Sequence, residues 1–154
     1  MSHGEPETER LIALWLETKL LVRAGGRTLD LDAIPPSGWQ ATIAPLGTPL
    51  TLVTAWNPGG RDASPGANRA ANRRLRDGLD ARSWTWRPAL GRARDGSWAE
   101  PGFAVGGLSE AAAAALGAEW GQLAVYVISV DEVIVLASDR SFRRARRRGH
   151  PAGA

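Results

Sequence analysis

The feature that most constrains this chain is a strand that runs straight into a polar turn and then a helix. LTLVTAW (50–56) is rich in β-branched residues and reads as the strongest strand of the first half. It ends in Asn57-Pro58-Gly59-Gly60, after which Ser64-Pro65 supplies an N-cap with proline in the first helical position. The following helix is expected over 66–79. Along it Asn68, Asn72, Leu75 and Leu79 fall at helical spacing, so two amides continue a stripe whose leucines must face the core. Asn68 and Asn72 are therefore expected to point inward. Arg69, Arg73, Arg74 and Arg76 mostly occupy the solvated faces.

The rest of the chain repeats this alternation. ETERLIALWLETKLLVRA (7–24) carries a broad apolar face and reads as an amphipathic helix stopped by Gly25-Gly26. TLDL (28–31) reads as a short strand, Pro35-Pro36 as a turn, and WQATIA (39–44) as an alternating strand. SWTWRPAL (83–90) and FAVGG (103–107) are further strands. Ser109 caps a helix over EAAAAALGAEW, and LAVYVISV (123–130) with EVIVLA (132–137) makes a closing hairpin. Strands in hairpin pairs, mixed with two strand–helix–strand passages (50–90 and 103–130), predict α+β rather than a doubly wound parallel sheet. The expected architecture is one domain over 7–139, a mostly antiparallel or mixed twisted sheet packed by two or three helices. It lies between a flexible N-terminus (1–6) and a disordered Arg-rich tail (140–154).

At 154 residues the chain is long enough for a single sizeable core. The net charge of +3 has to be located to be read. RRARRR (143–148) holds five arginines and no acid, leaving 14 basic against 16 acidic residues, a net charge of −2, for the body. That argues against a large phosphate-binding surface; nucleic acid is expected to meet the chain only weakly, through Arg143–Arg148. Seven tryptophans spread along the chain suit core anchors better than one stacking platform, although Trp84 and Trp86 share a strand face with Arg82. There is no cysteine, hence no disulfide or thiol chemistry. The polar, acidic start MSHGEPETER predicts no secretory signal, and no apolar run reaches the roughly 20 residues of a membrane span, so a cytoplasmic protein is expected.

Two readings of the amide stripe stand side by side. In one, Asn57, Asn68 and Asn72 line a polar pocket at a helix N-terminus, where free N–H groups favour a polar or anionic ligand, with Arg61 adding charge. In the other, Asn57 stabilises the turn before Pro58, while Asn68 and Asn72 hold the 57–66 loop through its backbone. GGRDASPGAN lacks the spacing of a phosphate-binding P-loop.

TAWNP followed by N-x-x-x-N resembles a signature of a small bacterial family of uncharacterised proteins, domain of unknown function 3293. An acidic residue before a strand (WAEPGFAV) and Gly-Gln leading into another (EWGQLAVYVI) are similar too, so the resemblance covers about residues 10–138. It implies no activity, cofactor or substrate. It does single out Trp56, Asn57, Asn68, Asn72, Glu100 and Gln122. Glu100, the one carboxylate among them, is either an ordinary surface acid or a group facing the amides that binds an amine or guanidinium or acts as general base. Gln122 is either a ligand contact or a backbone clamp.

Catalytic sets are absent from the sequence. His3 and His150 sit near the termini, Asp30 and Asp32 alternate without a third ligand, and Ser37 and Ser64 have no histidine to activate them. No metal, cofactor or membrane contact is expected, and whether the chain is an enzyme stays open. The expected function is binding of a small polar or anionic molecule at the 54–72 junction. The alternatives are an interaction module built on exposed tryptophans, or nucleic-acid contact through the Arg-rich tail.

Overall fold

The computed structural model describes residues 4–149. Helix α1 (Glu5–Glu17) starts with Pro6 near its N-terminus and two glutamates in its first turn, where they face the positive end of the helix dipole. It stops at Thr18, whose hydroxyl donates to the Leu14 carbonyl while its N–H reaches Trp15. The expected helix thus ends about two turns early. KLLVRA is instead strand β1 (Lys19–Ala24), with Leu20 and Val22 wholly buried. Gly25 and Gly26, both at positive φ, make the tight turn into β2 (Arg27–Asp30). Those glycines turn a hairpin rather than cap a helix.

WQATIA is not a strand either. After the one-turn helix α2 (Pro36–Gly38), residues Trp39–Ile43 form a π-helical turn and Ala44–Leu46 a 3₁₀ turn. Trp39 and Ile43, four residues apart, both enter an apolar cluster with Leu20, Val22, Leu50 and Ile128. An extended segment would send residues four apart the same way too, but at about twice the distance, too far to share one pocket of the curled sheet.

Six elements form the centre: β3 (Leu50–Val53), α3 (Pro65–Ala81), β4 (Trp86–Arg92), β5 (Ala99–Gly106), α4 (Glu110–Glu119) and β6 (Ala124–Ile128). Their strand order β4-β5-β3-β6 makes two interlocked split β–α–β crossovers, the ferredoxin-like arrangement. β5 fills the gap of the first passage and β3 that of the second. Both helices start as the sequence predicts. Ser64 and Ser109 accept hydrogen bonds from the N–H groups of Ala67 and Ala112 at 3.1 Å. Ser64→Ala should cost about 1 kcal/mol, seen as a melting temperature lower by about 2–4 °C. Leu75 and Leu79 of α3 and Ala113 and Leu116 of α4 pack on Val53, Val105, Val125 and Val127, closing one face of the sheet.

The β1–β2 hairpin extends the sheet beside β4. On the other side β7 (Glu132–Ala137) and β8 (Arg143–Arg147) extend it beside β6, giving eight strands with every pairing antiparallel. The expected α+β domain is what the chain adopts, but the tail expectation needs correcting. Residues 143–147, expected to be disordered, pair with β7 in register Val135↔Arg144. Their side chains alternate as a strand requires: Arg143 meets Glu110 of α4, and Arg144 meets Glu9 of α1. Residues 150–154, the end of the expected tail, lie outside the described residues, as does His3.

The two edges of this sheet meet. Arg146 of β8 makes a double hydrogen bond to Asp32, just past β2, with both distances 2.8 Å, and the Gly149 N–H adds a third at 2.9 Å. Arg148 donates to the carbonyls of Leu31, Ile34 and Val130 and lies 4.6 Å over the Trp39 ring. Burial alone would push the Asp32 carboxyl up, but these bonds and the Arg146 charge outweigh it and hold the group below its usual value. The sheet is thereby curled almost into a barrel. Helix α1 lies over the face opposite α3 and α4, held by the Tyr126 hydroxyl and Arg146 on the carbonyls of Trp15 and Leu16, and by Trp15 stacking on Phe142. Among the described residues no helix is long and apolar enough to cross a membrane.

Candidate functional site

Where β3 ends, the chain is organised by amides. Asn72 accepts from the Ala55 N–H at 2.9 Å and donates to the Pro101 carbonyl at 2.8 Å, so it ties the end of β3 to the start of β5. Asn68 accepts from the Asn57 N–H at 2.8 Å and donates to the Asn57 side chain and the Ala63 carbonyl. Asn68 and Asn72 point inward, as the helical stripe predicts, and both are buried. Their partners, however, belong to the protein's own loop. Asn57 takes a left-handed backbone conformation, which asparagine tolerates better than most residues. Its side-chain oxygen accepts from Ala63 and Asn68, leaving its NH2 to reach the carboxylate of Glu100.

That last contact opens onto a cavity of about 410 Å³ between α1 and the sheet, on the side of the sheet away from α3. Its floor is Leu20, Leu52, Ala89 and Tyr126, and its roof is Leu11, Leu14 and Trp15 of α1. Trp56, Asn57 and Asp62 of the loop close one end, with Trp98, Glu100 and Gln122 beside them. Glu100 and Gly102 of β5 lie at alternate positions on one face of the strand, and Trp98, just before it, borders the same cavity. A side chain at Gly102 would place its Cβ 2.4 Å from the Val53 carbonyl oxygen, so only glycine lets β5 pass this close to the end of β3.

Glu100 is the electrostatic centre. Burial raises its carboxyl above the ordinary value, the nearby Asp62 charge adds to the rise, and the Asn57 donor partly offsets both. Tyr126 faces it from the sheet; its hydroxyl is pushed far up by burial and stays protonated. Among the described residues the lining holds Glu7, Asp62 and Glu100 and neither Lys, Arg nor His.

The predicted site residues therefore separate. Asn57, Glu100, Gln122 and Trp56 come together on the cavity, whereas Asn68, Asn72 and Arg61 are not part of its lining. Arg61 is exposed on the loop. Gln122 combines both readings given to it: it borders the cavity, and its NH2 clamps the Trp56 carbonyl at 3.2 Å. Sequence reasoning missed Glu7, Trp15, Asp62, Trp98 and Tyr126. Trp98 carried a usable signal, since it stands two residues before Glu100. The apolar side of α1 carried another, because nothing in the sequence says what it covers. Among the described residues no group of three His, Cys, Asp or Glu side chains is placed to hold a metal ion.

Residues 53–125 match the model of a family described as protein of unknown function (DUF3293). The family is the one that the sequence resembles. It runs from the last residue of β3 into β6, and so takes in the two crossovers and all six residues named by the resemblance. No curated protein and no solved structure matches the chain.

Proposed function

We propose that this chain, kin over residues 53–125 to that family of unknown function, binds a small polar molecule in the cavity under α1. The observation that carries the reading is an ionisable group placed where folding alone gains nothing from it. Glu100 sits half-buried in a mostly apolar cavity of ligand size, oriented by Asn57, with no Lys, Arg or His side chain in the lining among the described residues. An anion finds less support than it did from the sequence, because Asp62 and Glu100 border the cavity and Arg61 does not.

The alternatives have less to rest on. None of the seven tryptophans is exposed, so an interaction module lacks the patch it needs. Arg143, Arg144, Arg146 and Arg148 already bond acids or carbonyls of the protein, which weakens the case for the basic strand as a nucleic-acid contact.

The sign of one substitution tests the reading. A carboxyl raised in the folded state penalises folding once it is ionised, so its cost is absent at low pH and grows as pH rises through the raised value. Glu100→Gln should therefore raise the melting temperature at about pH 7, and the gain should vanish below about pH 4, where the native carboxyl is neutral. The same variant should lose the melting shift that small amines, amides, alcohols or carboxylates give the parent protein. A drop in melting temperature at neutral pH would make Glu100 a structural group, and a parent protein that none of the four classes shifts would contradict the reading.

A further inference from the structure

We infer that this cavity recognises its occupant as a hydrogen-bond donor: a hydroxyl or amide N–H, received by Glu100, on an apolar aromatic body. The inference rests on the cavity being the binding site and goes on to name the chemistry of what it takes. Among the described residues, every hydroxyl and amide side chain of the lining already donates to the protein itself. Thr18 gives its hydrogen to the Leu14 carbonyl at 3.1 Å, Tyr126 to that of Trp15 at 3.0 Å, and Thr54 to that of Pro101 at 2.6 Å. Gln122 places its NH2 on the carbonyls of Trp56 and Trp120, at 3.2 and 3.4 Å. Asn57 places its own on Glu100. Turning these hydrogens toward a ligand would release the end of α1 and the junction of β3 with β5, which they hold.

What these groups leave to a ligand is acceptors. A carboxylate offers about four positions to hydrogen-bond donors, and Asn57 fills one of those on Glu100. With its NH2 engaged on two carbonyls, Gln122 has its side-chain oxygen left to offer. A ligand donor brought to this end of the cavity finds partners waiting. A ligand acceptor gives up its water there and meets other acceptors, a desolvation that nothing repays. The rest of the space sets the body that carries the donor. The indoles of Trp15, Trp56 and Trp98 border it, and Leu20 and Leu52 lie beneath. A flat apolar body can stack on such rings or meet them edge to face.

Hydrocinnamamide and 4-phenyl-2-butanone share one shape and one carbonyl, and differ only in NH2 against CH3. 3-Phenyl-1-propanol and its methyl ether make a second pair, and none of the four is charged. In calorimetric titrations of the full chain the amide should bind about tenfold tighter than the ketone, and the alcohol about tenfold tighter than the ether. Glu100→Gln keeps the shape of the side chain but gives it an NH2 of its own, so both gaps should shrink to about threefold or less. Gaps that survive intact in Glu100→Gln would overturn the assignment of Glu100 as the receiving group. A ketone and an ether that bind as tightly as their partners, with binding lost in a folded Ala89→Phe variant of the cavity floor, would overturn the donor and leave the cavity as a site. A ketone that binds tighter than the amide would overturn it as well, and would assign recognition to the indole N–H groups of Trp15, Trp56 and Trp98. Failure of all four to bind the parent protein up to about 5 mM would overturn both the donor and the site.

Discussion

Asn72→Ala should lower the stability of the domain by about 2–3 kcal/mol, because it leaves the buried Ala55 N–H without an acceptor. In a domain of this size that is a melting temperature lower by about 4–12 °C. Asn72 is one of four groups closing the junction between β3 and β5. The Thr54 hydroxyl also donates to the Pro101 carbonyl, at 2.6 Å, so that carbonyl keeps one partner in the variant. The orphaned donor is therefore the main loss. Since Asn72 is not part of the cavity lining, the folded variant should bind cavity ligands as the parent does. A ligand-binding amide would show the reverse: weaker binding with little change in melting.

The larger effect is expected at the seam of the sheet. Arg146→Ala should cost about 3–5 kcal/mol, a large fraction of the stability of an ordinary domain. The Asp32 and Arg146 side chains are 12% and 6% exposed, so removing the guanidinium strands a nearly buried carboxylate. It also frees the Leu16 carbonyl, which Arg146 holds at the end of α1. The double variant Asp32→Asn/Arg146→Gln, neutral on both sides, should be less damaged than either single change, because no unpaired charge stays behind. The pH dependence follows from the depressed Asp32 carboxyl. Its contribution is complete above the ordinary value of 3.8 and is lost as pH falls through the lower folded value. The Arg146→Ala penalty should therefore shrink in strong acid. Because α1 roofs the cavity, the variant should also bind cavity ligands more weakly, in proportion to how far α1 loosens.

What the sequence made legible follows from how local each signal is. Ser64-Pro65 and Ser109 marked helix starts because a cap and its N–H lie three residues apart, and those helices are where the spacing put them. The inward turn of Asn68 and Asn72 was equally legible, since helical geometry alone fixes it. Their partners were not, because Ala55 and Pro101 are reached through the fold, 17 and 29 residues away. KLLVRA carried apolar residues that fit either period, and pairing with β2 and β4 decided for the strand. RRARRR showed no apolar pattern. It is a strand because β7 offers a free edge and because acids on both faces, Glu9, Asp32 and Glu110, receive its arginines.

The site was half legible for the same reason. The resemblance named Asn57, Glu100 and Gln122, and the fold brings them together. The roof supplied by α1 could not be foreseen, because it depends on the sheet curling until β8 meets the segment after β2. The split β–α–β core alone would leave that face of the sheet uncovered. The flanking α1, β1–β2 and β7–β8 elements close it, and the space they enclose is the candidate site.

The most direct test is a titration, at one pH near neutrality, of the parent protein, Glu100→Gln and Asn72→Ala with whichever small amine, amide, alcohol or carboxylate shifts the melting of the parent most. The account predicts saturable binding to the parent, about tenfold weaker binding to Glu100→Gln despite its higher melting temperature, and undiminished binding to Asn72→Ala despite its lower one. Binding that survives in Glu100→Gln and disappears in a folded Asn72→Ala would contradict it, and would place the site at the amides beside α3 instead of under α1.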